Sequence, residues 1–138
     1  MWVRTLVTRT IIAIAGASAS GKSLFSQTIY NELVNELEPG AIAIIEEDAY
    51  YKDQSHLPME HRTQTNYDHP DAFEHELMLE HLTQLRSGNS VEVPTYDYAQ
   101  HTRSDETRRV AAAKILIVEG ILLLSDKALN KEFDIKIN

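Results

Sequence analysis

Four short apolar runs recur along the chain, each bounded by polar residues or by glycine and proline. The runs cover residues 10–15, 41–45, 114–118 and 133–137. Their length and their content of β-branched residues are typical of strands buried on both faces of a parallel sheet. Because helical patterns separate them, the alternation predicts an α/β fold: a parallel sheet with flanking helices.

Two of the intervening segments carry apolar residues at helical spacing. In the first these residues are Phe25, Ile29, Leu33 and Leu37, and in the second Phe73, Leu77, Leu82 and Leu85. We expect the first helix to end at Pro39-Gly40, and the second to run from Pro70 to Gly88. A short helix over 121–129 and a small inserted β-hairpin over about 91–112 complete the prediction.

The composition narrows the class of protein. A chain of 138 residues is expected to form one domain, residues 1–138, and its lack of cysteine excludes disulfides and thiolate zinc sites. A formal charge of −8 argues against nucleic acid as a partner. The apolar run 11–15 is too short for a secretory signal, and no run is long enough to span a membrane. We therefore expect a cytoplasmic protein.

A glycine-rich segment directly follows the first apolar run and precedes the first helix. Its residues are Gly16, Ala17, Ser18, Ala19, Ser20, Gly21, Lys22 and Ser23. This spacing is the phosphate-binding loop pattern, in which backbone N–H groups surround a phosphate, the lysine contacts the β- and γ-phosphates and the hydroxyl residue binds Mg²⁺. The segment predicts a nucleoside triphosphate site; a tight turn without a ligand is the alternative.

Acidic residues follow two further apolar runs. Asp48 comes after the second run and Glu119 ends the third. Since the carboxyl ends of parallel strands meet at one sheet edge, both should lie near the glycine-rich loop. Glu119 could hold Mg²⁺ with Ser23, and Asp48 could accept a proton from an acceptor hydroxyl or face the metal. Each acid alone could equally be a helix cap or a solvated turn residue.

Several longer blocks resemble uridine kinase, also called uridine–cytidine kinase, of the P-loop kinase superfamily. The blocks are Gly16–Ser23, Glu47–Asp53, Asn66–Phe73, Pro94–Tyr98 with His101 and Arg103, and Glu119–Leu122. They occur in matching order and spacing over nearly the whole chain. The resemblance implies a P-loop kinase core that uses ATP or GTP and Mg²⁺ to phosphorylate the 5′-hydroxyl of uridine or cytidine.

The resemblance also implies residue roles. Asp48 would be the catalytic base and Lys22 would assist transfer. The acceptor nucleoside would be bound by Tyr51, Tyr67, Asp68, Tyr96, Tyr98 and His101. In this assignment Asp68 contacts the ribose hydroxyls, while Tyr96, Tyr98 and His101 frame the pyrimidine. Ordinary core packing is the alternative for the tyrosines.

One departure from the family pattern concerns the carboxyl end. Members usually continue well beyond the strand that here ends at Ile137-Asn138, with an arginine-rich lid and closing elements, and are commonly homotetramers. The resemblance therefore implies a form without the lid, whose tetramer is in doubt. Two other functions stay open: nucleotide binding without turnover, and a related small-molecule kinase such as a phosphoribulokinase.

Overall fold

Strands and helices alternate along the chain in the computed structural model, which describes residues 9–16 and 22–138, with the backbone alone for Lys22 and Ser23. The elements are β1 (Thr10–Ala15), α1 (Lys22–Val34), β2 (Ile42–Glu46), α2 (Met59–Arg62), α3 (His75–Arg86), β3 (Val91–Asp97), β4 (Thr102–Val110), β5 (Ile115–Gly120), α4 (Lys127–Asn130) and β6 (Ile135–Ile137). No helix within these ranges is long and apolar enough to cross a membrane.

Four of the strands form a parallel sheet in the order β2-β5-β1-β6. Strand β5 pairs with β1 on one side and with β2 on the other, so Glu119 lies opposite both Ile14 and Glu46. The parallel sheet with helices confirms the α/β prediction. It also brings the carboxyl ends of β1, β2 and β5 to one edge.

The two faces of the sheet pack against different helices because successive side chains of a strand point to opposite sides. On one face Ile11 and Val118 share a buried cluster with Met78 and Leu82 of α3. On the other, Ile14 and Ile117 pack with residues of α1. Each fully buried side chain of this size contributes about 1.5–3 kcal/mol. Leu37 joins the second cluster although α1 ends at Val34, five residues before Pro39, where the pattern predicted its end.

The helix predicted from Pro70 begins later than expected. Residues Pro70–Ala72 form a 3₁₀ turn and α3 starts at His75. Phe73 is extended and bridges to Tyr51, while the N–H of Glu74 donates to the carbonyl of Tyr50 at 2.7 Å. This pairing with a distant segment fixes the backbone of Phe73 outside the helix. The prediction that Phe73 lies on the apolar helix face was therefore wrong.

The helix predicted over 121–129 is shorter in the structure. Only Lys127–Asn130 is helical, and the Asp126 carboxylate caps it by accepting from the N–H groups of Ala128 and Leu129, at 2.9 and 3.0 Å. Before the cap, the N–H of Leu122 donates to the Glu47 side chain at 3.0 Å. The backbone of residues 121–126 is thus held by other contacts and forms turns.

The predicted hairpin is confirmed as the antiparallel pair β3 and β4. Its register shifts between Pro94 and Tyr96, where proline offers no N–H to the ladder. Arg103 of β4 anchors the hairpin to the rest of the fold: its guanidinium donates to the carbonyl of Tyr51 at 2.9 Å and lies 2.9 Å from Glu74 Oε1. The hairpin therefore stands beside the segment that follows β2.

Candidate active site

The backbone at the end of β1 is compatible with the predicted phosphate loop. Gly16 has φ of 148°, a conformation that side-chain-bearing residues rarely adopt, and its N–H donates to the carbonyl of Gly120 at 3.2 Å. Helix α1 begins six residues later, at Lys22. Residues 17–21 of the predicted loop, and the side chains of Lys22 and Ser23, lie outside the described residues. The framing strand and helix fit the predicted loop.

Glu119 is the penultimate residue of β5, at the carboxyl edge of the sheet and opposite Ile14 of β1. It is buried, with 6% of its surface exposed, and precedes the final residue of β5. Side-chain alternation places it on the face of the sheet that packs against α1, because Ile117 lies on that face. Among residues 9–16 and 22–138, no group of three His, Asp or Glu side chains could hold a metal by itself. A site of one or two carboxylates, a hydroxyl and phosphate oxygens is what Mg²⁺ ordinarily uses.

Asp48 lies in the 3₁₀ turn Glu47–Tyr50 that directly follows β2. It borders an open cleft of about 340 Å³, called here the Asp48 cleft, whose walls include Tyr96, Tyr98 and Arg108 of the hairpin. A volume above about 300 Å³ is in the range of small-molecule sites. The turn after β2 thus faces two of the tyrosines that were predicted to bind the acceptor.

The predicted tyrosines form one aromatic group, called here the tyrosine cluster. Its members are Tyr51, Tyr67, Tyr96 and Tyr98, with Phe73. Tyr51 stacks on Phe73 with ring centroids 4.5 Å apart and meets Tyr67 and Tyr96 edge-on at 4.9 and 5.2 Å. Tyr98 contacts Tyr96 at 5.2 Å and is 65% exposed. Tyr51 is the buried centre of the cluster and Tyr98 its solvent-facing edge.

The hydroxyls of Tyr51 and Tyr96 stay protonated at neutral pH. Burial of its hydroxyl is the largest cause that raises the pKa of Tyr51, and the negative charge of Asp48 is the second largest. Burial is also the largest cause that raises the pKa of Tyr96, and its hydrogen bond with Tyr67 is the second largest. Because the neutral phenol can both donate and accept, these side chains can bind the carbonyl and hydroxyl groups of a small molecule.

A buried glutamine that the sequence analysis missed connects the cluster. Gln54 Nε2 lies 3.1 Å from the Tyr67 hydroxyl, 3.4 Å from that of Tyr96 and 2.9 Å from the carbonyl of His101. Its Oε1 accepts from Thr65. Gln54 directly follows the block Glu47–Asp53. No local sequence pattern marks its role, since its partners are brought together only by folding.

The two other predicted acceptor residues lie at the rim of this cluster. Asp68 is exposed, next to Tyr67, and its N–H donates to the Asn66 side chain at 3.1 Å. His101 is half-buried, with a left-handed backbone at φ of 50°, at the turn of the hairpin. The structure joins His101 to the cluster through its carbonyl.

Glu47 and His75 form a buried pair that the sequence analysis also missed. Glu47 has no exposed surface, and its Oε2 lies 2.7 Å from His75 Nε2. Glu47 also packs against Gly120, where a Cβ atom would lie 2.4 Å from Glu47 Cβ and 2.5 Å from Oε1. Real Cβ atoms do not approach so closely, so only glycine fits at this position without a shift.

Gly120→Ala is expected to destabilise the protein by about 1–3 kcal/mol, because the added methyl overlaps the Glu47 side chain. Urea unfolding measures this loss. In a Glu47→Gly background the overlapping atoms are absent, so the same substitution should cost almost nothing. An equal cost in both backgrounds would contradict the close packing.

The sequence profile of the Phosphoribulokinase / Uridine kinase family matches residues 11–138. The chain belongs to this family. It is 60% identical to a uridine kinase of Tolumonas auensis over 127 residues and 59% identical to one of Vibrio atlanticus over 121 residues, which is 92% and 88% of the chain. The chain spans 59% and 57% of the length of these two relatives.

Solved structures of the phosphoribulokinase/uridine kinase family and its relatives share the fold. A possible uridine kinase from Bacillus stearothermophilus superposes with a TM-score of 0.73 at 19% identity, covering 97% of this chain and 71% of that one. A phosphoribulokinase from Rhodobacter spheroides gives 0.65 at 18% identity, covering 95% and 50%. The expected P-loop kinase fold and the resemblance to this family are confirmed. The roles assigned to individual residues remain predictions.

Proposed function

We propose that the protein transfers a phosphoryl group from ATP or GTP to the 5′-hydroxyl of uridine or cytidine, as a cytoplasmic enzyme of pyrimidine salvage. The curated relatives at 54–60% identity that carry the name uridine kinase support this substrate class. The tyrosine-bearing blocks of the chain support it independently, because aromatic faces and neutral phenols suit a pyrimidine nucleoside.

One observation carries the proposal: Asp48 borders a cleft that Tyr96 and Tyr98 also line. Asp48 follows β2, and Glu119 and Gly16 end the neighbouring strands. Ligands of open parallel sheets bind at this edge. A phosphate donor held at the end of β1 and an acceptor in the Asp48 cleft would therefore meet at the same edge.

The residues present fit the groups that the reaction needs. The loop Gly16, Ala17, Ser18, Ala19, Ser20, Gly21, Lys22 and Ser23 would hold the nucleotide phosphates, and Ser23 with Glu119 and Asp48 would face Mg²⁺. The metal would neutralise negative charge on the phosphates. Asp48 orients the 5′-hydroxyl and accepts its proton as that oxygen bonds to the γ-phosphorus and the bond to the leaving diphosphate breaks.

The acceptor would lie against the tyrosine cluster. Tyr96, Tyr98 and His101 would border the pyrimidine, Tyr51 and Tyr67 would support them, and Asp68 would accept hydrogen bonds from the ribose hydroxyls. A site built to bind a hydroxyl pair rejects analogues that lack one of them, because a polar group is then left unpaired. We therefore expect uridine to be preferred over 2′-deoxyuridine.

A panel of acceptors tests this function. Mg²⁺-dependent ADP formation from ATP is measured with uridine, cytidine, 2′-deoxyuridine and ribulose 5-phosphate. The proposal expects turnover with uridine or cytidine. Turnover with ribulose 5-phosphate alone would favour the phosphoribulokinase-like function. Nucleotide binding without turnover of any acceptor would favour a nucleotide-binding protein. Light scattering on the same sample tests the homotetramer that the family resemblance suggests.

A further inference from the structure

We propose that Glu47 is a positioning residue: its buried side chain holds the turn that carries Asp48 against the carboxyl end of β5, where Glu119 lies. The inference rests on the function proposed above, because it concerns the spacing of the two acids that this function uses. Three segments meet at Glu47: the turn after β2, the start of α3 and the loop after β5.

The carboxylate of Glu47 is bonded on both oxygens. Oε2 lies 2.7 Å from Nε2 of His75, the first residue of α3, and Oε1 accepts from the N–H of Leu122 at 3.0 Å. Glu47 has no exposed surface. A buried carboxylate is stable only where such partners hold it, so its position is specified closely by both. The turn after β2 is thereby tied to α3 and to the loop after β5.

Close packing with Gly120 reinforces these bonds. A Cβ atom at Gly120 would lie 2.4 Å from Glu47 Cβ, which is too close for any residue other than glycine. The turn after β2 therefore packs directly against the backbone at the end of β5. Glu47 directly precedes Asp48, and Gly120 directly follows Glu119. The contact between Glu47 and Gly120 therefore restricts how the two segments that carry these acids can move relative to each other.

His75 is itself held in place. Its Nδ1 lies 3.5 Å from Oδ2 of Asp126, and its ring stacks on Phe73 with centroids 5.3 Å apart and planes 3° from parallel. Phe73 in turn stacks on Tyr51 of the tyrosine cluster. A continuous series of contacts through Glu47, His75 and Phe73 thus connects the end of β5, which carries Glu119, with the tyrosine cluster.

Glu47→Ala removes these contacts and is expected to lower kcat about 10²-fold, the size of effect that a misplacement of about 1 Å produces. KM for ATP and for uridine should change little, because Glu47 does not border the Asp48 cleft. Glu47→Gln should restore most of kcat, since its carbonyl oxygen can still accept from Leu122 and its amide can still meet His75.

Asp134→Ala is the matched control. The Asp134 carboxylate also accepts from a backbone N–H of another segment, that of Ile11 at 2.8 Å, and pairs with Arg86 at 3.4 Å. Ile11 lies near the start of β1, at the sheet edge opposite the site. This variant should lose stability and keep kcat. A wild-type kcat in Glu47→Ala, or the same loss in Asp134→Ala, would overturn the proposal.

Hydrogen exchange tests the positioning without relying on activity. Glu47→Ala should speed exchange at the amides of Leu122 and Glu74 and leave Ile11 protected, whereas Asp134→Ala should do the reverse. If Glu47→Ala does not fold, the double variant Glu47→Met/His75→Phe replaces the pair by apolar groups of similar size, which folded proteins tolerate. Wild-type exchange at both amides in the folded variant would overturn the proposal, even if the wild-type protein turned over no nucleoside.

Discussion

Asp48→Asn is expected to lower kcat for uridine phosphorylation by about 10²–10⁴-fold, the usual contribution of a general base. The amide keeps the shape of the side chain but cannot take up the hydroxyl proton. Because the phosphate loop does not include Asp48, the Kd of ATP should stay within a few-fold of the wild-type value. Steady-state kinetics and nucleotide titration separate the two quantities.

Asp105→Asn makes the same chemical change at an exposed position of β4 and is expected to leave kcat unaltered. A comparison of thermal unfolding shows whether either variant is less stable. A folded Asp48→Asn protein with wild-type kcat would mean that Asp48 is a structural residue of the turn. Loss of folding in Asp48→Asn would point to the same conclusion.

Lys22→Ala should weaken ATP binding about ten- to hundredfold and abolish turnover. Losing one charged hydrogen-bond donor to a phosphate costs about 1.5–3 kcal/mol, which corresponds to that change in Kd. Isothermal titration with ATP and Mg²⁺ measures the effect. Uridine binding should be retained, because the acceptor residues lie on the segments after β2 and on the hairpin.

Lys114→Ala is the control for this variant. Lys114 precedes β5 at the opposite sheet edge, where its ammonium pairs with Glu38. The two substitutions remove the same charge, so only a local role of Lys22 separates them. Equal ATP affinities in Lys22→Ala and Lys114→Ala would refute the assignment of Gly16–Ser23 as the phosphate loop.

The parts of the fold that the sequence predicted well are those that depend on local periodicity. The run Thr10–Ala15 is β1, and the helical spacing of Ile29 and Leu33 gives α1. Local patterns failed where distant segments compete. Phe73 fits the apolar face of a helix by spacing, yet its backbone pairs with Tyr51 and the helix begins at His75.

The same distinction applies to the candidate site. Asp48 and Glu119 could be predicted because acids that follow parallel strands reach one sheet edge. Gln54 and Glu47 could not, because their partners are far away in sequence. Gln54 meets Tyr96 across 42 positions, and Glu47 meets Leu122 across 75. A single sequence carries no local signal for such contacts.

The most direct test of the central claim is the product of a single turnover by the 138-residue protein. Enzyme in excess is mixed with γ-labelled ATP, Mg²⁺ and uridine, and the labelled product is identified by mass and chromatography. The proposed function predicts uridine 5′-monophosphate from the wild-type protein and a strongly reduced amount from Asp48→Asn, with ATP bound by both. Label that stays on the nucleotide, or transfers without dependence on uridine, would contradict it.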